Sequence, residues 1–149
     1  MTIATALQDE IDHPDDQKSS RKAMRCLWLA REIPYPINSG DRAYSGNLAA
    51  AFAQAGVELH FLGLAPSEAP QAPADLGIRW VQVPESKRPY PLAIFSRYPL
   101  VTAAHATARH RRALEKLLQE RWDAIVLDHY GSGWALDPVS RHLRTALHR

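Results

Sequence analysis

Four short apolar runs punctuate the chain, and between them the apolar positions switch to helical spacing. The first, Cys26-Leu27-Trp28-Leu29-Ala30, is unbroken, as in strands buried on both faces, and predicts a strand over Arg25–Ala30. From Asp41 to Ala55 the residues Tyr44, Leu48, Ala51, Phe52 and Ala55 fall at i, i+4, i+7, i+8 and i+11, one face of a helix. Gly56 follows where a helix C-cap wants positive φ. Val57 to Leu64 reads as a second strand, with Glu58 and His60 on one alternation and Val57, Leu59 and Phe61 on the other.

Pro66 to Pro73 is a loop. A third strand is predicted over Ile78 to Val83, anchored by Ile78, Val83 and either Trp80 or Val81. The proline-rich, aromatic stretch Pro84 to Pro99 holds a short helix near Leu92–Phe95. Thr102 to about Arg121 predicts one long helix with Ala106, Ala113, Leu114, Leu117 and Leu118 as its stripe. Asp123 to Asp128 supplies a fourth strand around Ala124-Ile125-Val126-Leu127. Gly131-Ser132-Gly133 is a turn, and a last helix opens at or near Pro138. Strands alternating with helices imply an α/β fold, a Rossmann-like parallel sheet with right-handed crossovers.

Residues 1 to 22 carry Asp9, Glu10, Asp12, Asp15 and Asp16 without apolar periodicity, and are expected to form a disordered tail before a single domain over 23–149. Hydrophobic content of 46% and charged content of 23% suit a globular domain. The net charge of +2, from 18 basic and 16 acidic residues, is too small to point to nucleic acid. Cys26 is the sole cysteine, so an internal disulfide and a Cys-rich zinc site are both excluded, and no metal-ligand cluster is evident. No apolar run approaches the roughly 18 residues of a membrane span, and no signal peptide is seen.

Three segments could carry chemistry. In the first, Pro34 and Pro36 stiffen a loop, and Gly40 lets backbone N–H groups approach a ligand; Asn38, Ser39, Asp41 and Arg42 complete it. The plain alternative makes Ser39 or Asp41 a helix N-cap. In the second, Asp128 and His129 end a buried strand. A carboxylate beside an imidazole can act as a general base, or can simply cap the next turn. Gly131-x-Gly133 is too short for a dinucleotide fingerprint, and no P-loop is present. In the third, Arg97, Arg109, Arg111, Arg112, Lys116 and Arg121, with His105 and His110, make segment 97–121 basic. That is either a solvated helix face or a patch for anionic headgroups or a phosphate-bearing acceptor. Trp28 and Trp122 read as core, whereas Trp134, near the expected cleft, could stack on a sugar.

The run Arg31-Glu32-Ile-Pro-Tyr-Pro-x-Asn-Ser-Gly-Asp-Arg42, then Tyr44-Ser-x-Asn47-Leu48 and Gly56-Val-Glu-Leu-His60, resembles the N-terminal domain of retaining GT-B glycosyltransferases of family 4. Phe95-Ser-x-x-Pro99 and Trp122-Asp123-x-Ile-Val-x-Asp128-His129 resemble the same domain. The likeness runs from about Met24 to about Leu143. It implies the acceptor-side half of a two-domain enzyme that moves a sugar from a nucleotide-sugar to a hydroxyl acceptor, with no cofactor and no metal. Gly40 would approach the donor phosphates, and Asp128 or His129 would lie beside the acceptor hydroxyl. Departing phosphate is thought to help remove the acceptor proton in retaining members, so neither residue need be a strong base. Ile37 replaces a usual proline, and Asp128 a common glutamate. The family's donor domain with its Glu-x7-Glu pair has no counterpart here, so a truncated or split chain, inactive alone, is expected. Its partner would be a C-terminal GT-B half, and its place the cytoplasm, with peripheral contact at the inner membrane face through segment 97–121. The alternatives are a non-catalytic half-domain docking on a partner chain or an anionic membrane, and another Rossmann-like nucleotide-binding protein.

Overall fold

The computed structural model of the chain describes residues 22–147; the segment expected to be a tail lies outside the described residues, Lys22 apart. Strands β1 (Arg25–Glu32), β2 (Glu58–Leu64), β3 (Arg79–Val83) and β4 (Ala124–Leu127) form one parallel sheet in the order β3-β2-β1-β4. Helices α1 (Gly40–Gln54), α2 (Tyr90–Ala93), α3 (Leu100–His105), α4 (Ala108–Leu117) and α5 (Leu136–Leu147) intervene, with 3-10 turns at Ala74–Leu76 and Tyr130–Ala135. This is the α/β, Rossmann-like arrangement that the alternation of patterns predicts. Among the described residues, no helix is long and apolar enough to cross a membrane.

The strand alternation splits the core into two layers. Leu27 and Leu29 of β1 and Leu62 and Leu64 of β2 pack with Leu114 and Leu117 of α4, with Trp134, and with Val139 of α5. Cys26, Trp28 and Ala30, with Leu59 and Phe61, face the other way onto Ala49 of α1. Trp28 stacks on Phe61 and meets Phe52 edge-on, at centroid distances of 5.9 and 5.5 Å. Burying these aromatic and aliphatic side chains contributes roughly 1.5–3 kcal/mol each. β2 is therefore buried on both faces, His60 included, although its polar alternation suggests a half-exposed strand.

The chain builds outward from β1 through β2 to β3, then crosses back to place β4 on the other side of β1. The carboxyl ends of β1 and β4 thus flank a topological switch point, where open α/β sheets hold their ligands. Near that point β1 has a register irregularity between Leu29 and Glu32, and Gly63 of β2 lies against it. A Cβ on Gly63 would come within 2.7 Å of the Glu32 carbonyl carbon and 2.8 Å of Ile33 N. β4 has a ladder only with β1, and all four of its residues are partly exposed.

Several boundaries depart from the sequence pattern. β1 runs two residues further, to Glu32, because Ile33 N still bonds to Leu64 O at 2.8 Å. The single long helix expected from Thr102 to Arg121 is two helices. Ala106 leaves helical geometry at ψ 50°, and the Thr107 hydroxyl accepts from His110 N at 3.2 Å to start α4. His105 and His110 are buried by this break and are not part of a basic surface. The short helix in the proline-rich stretch starts earlier, at Tyr90. The Gly131-Ser132-Gly133 turn is part of the 3-10 segment, and α5 opens at Leu136 with Pro138 in its first turn.

Candidate functional site

A small cleft lies at the switch point, walled by Arg31, Glu32, Asp41, Arg42, Ser45, Asp128 and His129 together with Ala30 and Pro34. Three stretches of chain converge there. The end of β1 supplies Arg31 and Glu32, the first turns of α1 supply Asp41, Arg42 and Ser45, and the residues after β4 supply Asp128 and His129. The two motifs read from the sequence are therefore brought together. Of the loop, however, Asp41 and Arg42 line the cleft, whereas Asn38, Ser39 and Gly40 are exposed beside it. Ser39 is the N-cap of α1, but its hydroxyl bonds Asp41 Oδ1 at 2.5 Å instead of a backbone N–H.

Asp128 joins all three stretches. Its Oδ2 accepts from Trp28 Nε1 at 3.1 Å and from Ser45 Oγ at 2.5 Å. Its backbone N–H is held by Leu29 O at 2.8 Å. Both side-chain donors use one carboxylate oxygen, and among the described residues nothing donates to Oδ1, which leaves it for a ligand.

The arginines are compensated. Arg31 pairs with Asp41, and Arg42 Nη2 lies 2.8 Å from Glu32 Oε2. Glu32 also faces buried His105, whose Nε2 is 3.5 Å from Oε1. The His105 contact first, and then Arg42, hold the Glu32 carboxyl down at about 2 against the cost of burial. His105 Nδ1 donates to Val101 O at 2.7 Å, so the imidazole is fixed by its own helix. With each guanidinium facing a carboxylate, the remaining charge in the cleft is that of Asp128, and an anion gains little there.

His129 adopts φ 67° and ψ 151°, a region that side-chain-bearing residues rarely enter. The strained turn ends β4 and lets His129 Nδ1 accept from Gly131 N at 3.3 Å. Burial, then the nearby Arg31 charge, lower its pKa, so the ring is neutral. A neutral imidazole whose Nδ1 accepts carries its proton on Nε2. His129 thus offers an N–H donor and has its lone pair occupied. A Cβ on Gly131 would be crowded, 3.0 Å from Arg31 Cβ and 3.2 Å from Arg31 Cδ.

Arg31, Glu32 and Ser45, present in the sequence motif without an assigned role, line the cleft, and His105, read as part of a basic segment, instead backs Glu32 from the core. The spacing of Asp41, Arg42 and Ser45 at i, i+1 and i+4 on one helix face was the available signal for Ser45. Trp134 is not a sugar-stacking surface: it is 1% exposed and packs against His110 at a centroid distance of 5.0 Å. Among the described residues, no group of three or more His, Cys, Asp or Glu side chains is gathered as a metal site requires.

What the cleft can do follows from its inventory. Asp128 Oδ1 accepts and His129 Nε2–H donates, and a hydroxyl group is both a donor and an acceptor. Comparison of the chain with protein-family models, with curated proteins and with solved structures found no match.

Proposed function

We propose that this chain is the acceptor-side half of a sugar-transferring enzyme of the GT-B type. It holds a hydroxyl-bearing acceptor at the β1/β4 switch point while a second domain holds most of the nucleotide-sugar donor. The observation that carries this reading is the shared cleft of Asp128 and His129, one with a vacant carboxylate oxygen and one with an N–H donor. The likeness of the Arg31–Arg42 motif to family 4 glycosyltransferases adds the reaction class. Asp128 orients the acceptor hydroxyl by accepting its proton in a hydrogen bond, and His129 donates to a neighbouring oxygen. Neither is required as a strong base, in keeping with a retaining transfer in which departing phosphate takes the proton. Gly40, at the exposed start of α1, stands where donor phosphates would approach from the second domain. A nucleotide-sugar substrate sets the reaction in the cytoplasm.

The test is an NMR titration of the labelled chain with methyl glycosides and, separately, with UDP and GDP. Glycosides should move the Ser45, Asp128 and His129 resonances, and Asp128→Asn should abolish that response. Tight nucleotide binding without any glycoside response would overturn the reading. Turnover of a nucleotide-sugar by the chain alone at ~1 per second or more would overturn the division of labour between two domains.

A further inference from the structure

A second concavity lies on the other side of the molecule from α1, between the Arg97–Tyr98 loop, α4 and α5. It is open to solvent and is walled by Arg97, Tyr98, Arg111, Trp134 and Arg141. An adjoining hollow adds Ser140 and Arg144. The aromatic rings hold the guanidinium groups in place. Arg97 and Arg111 lie 5.0 and 5.6 Å from the Tyr98 centroid, and Arg111 is also 5.7 Å from Trp134. The Trp134 indole N–H is buried without an acceptor among the described residues.

The charge balance here is the reverse of that in the cleft. Arg97 Nη2 pairs with Asp137 at 2.9 Å. Arg111 spends only Nε, on Ala106 O at 3.2 Å, and Arg141 only Nε, on Asp137 O at 3.4 Å. Among the described residues, Arg111, Arg141 and Arg144 have no carboxylate within ion-pair distance, and Glu115 and Asp137 are the opposing charges in the walls. Free guanidinium forks around a concavity match the oxygens of a phosphate. We propose that this groove and the hollow adjoining it bind a phosphate group, with Arg111 and Arg141 of the groove and Arg144 of the hollow as its ligands. The group could be borne by a soluble phosphate ester or by a lipid headgroup. This site is separate from the acceptor cleft and does not depend on the function proposed for it.

The 149-residue chain at low ionic strength should be titrated with inorganic pyrophosphate by calorimetry. It should also be sedimented with vesicles of phosphatidylglycerol and phosphatidylcholine, and with phosphatidylcholine alone. Two variants of equal net charge decide the outcome. Arg141→Gln/Arg144→Gln removes proposed ligands in the groove and the hollow, and Arg109→Gln/Arg112→Gln removes exposed charges of α4 outside their walls. Circular dichroism confirms that both fold. Binding should fall about tenfold or more in the first variant and stay near wild type in the second. Pyrophosphate binding with that pattern identifies a soluble phosphate ligand, and vesicle binding alone with that pattern identifies a headgroup. Absence of binding to both probes, or equal loss in the two variants, overturns the proposal.

Discussion

The Ser45 hydroxyl on α1 sits 2.5 Å from Oδ2 of Asp128, bridging a helix to a strand end 83 positions away in the chain. This contact ties the α1 layer to the switch point and presets the direction of the free Asp128 oxygen. Ser45→Ala should cost about 1.5–3 kcal/mol in urea unfolding, as expected for a hydrogen bond to a charged group. It should also weaken the glycoside response at Asp128. Unchanged stability would show that the hydroxyl does not hold the carboxylate.

His129 separates strain from function. Glycine is at ease at φ 67° and alanine is not. His129→Gly and His129→Ala both remove the imidazole, its bond to Gly131 N and its tilted contact with the Tyr130 ring. The glycine variant should therefore be the more stable by about 1 kcal/mol or more, with neither variant binding glycosides. Equal melting temperatures would mean that the turn relaxes on substitution.

Stability should fall with acid in two stages. His110 is 0% exposed and donates from Nδ1 to His105 O at 3.0 Å, and its Nε2 has no partner among the described residues. Burial lowers its pKa from 6.5 to about 4, only partly offset by the hydrogen bond to the His105 carbonyl. The unfolded chain takes up this proton first as pH drops, so the native state loses stability between pH 6.5 and about 4, on the order of 3 kcal/mol. Glu32 acts below that range. Its depressed carboxyl stabilises the fold above 4.5, and that contribution is lost as pH falls toward about 2. Urea unfolding as a function of pH, with NMR titration of the His110 ring, checks the first stage; a ring that protonates near 6.5 contradicts it.

Gly63→Ala should be among the most disruptive small substitutions. The added methyl group meets backbone atoms at 2.7 and 2.8 Å, and backbone in the middle of a sheet cannot step aside. A loss of about 3 kcal/mol or failure to accumulate folded protein is expected. Gly40→Ala, with nothing within 4 Å of its Cβ position, is the control and should fold normally. If the two variants melt together, the strand approach at Glu32 is looser than described.

The strands were legible because β1 and β4 are uninterrupted apolar runs and the positive φ of Gly56 ends α1 as its position suggested. The break between α3 and α4 was not. The apolar stripe continues in phase across Ala106–Thr107, and no glycine or proline marks the change, only the Thr107 cap. The meeting of the two motifs could be expected from parallel-sheet geometry, which puts every strand's carboxyl end on one edge. The partners of the site residues could not. Trp28 reads as core and is 2% exposed, yet its indole N–H reaches Asp128, and the Glu32–His105 contact depends on the helix break that the pattern concealed.

The placement of Asp128 and His129 immediately after β4 has a dynamic consequence. β4 is fastened by one ladder, whereas β1 is fastened by two. Local opening should therefore reach β4 before β1, and its amides should exchange with solvent sooner than those of β1. A ligand held jointly by Asp128 and the α1 side of the cleft would clamp that margin, so occupancy would register along Ala124–Leu127 as slower exchange at positions it never touches.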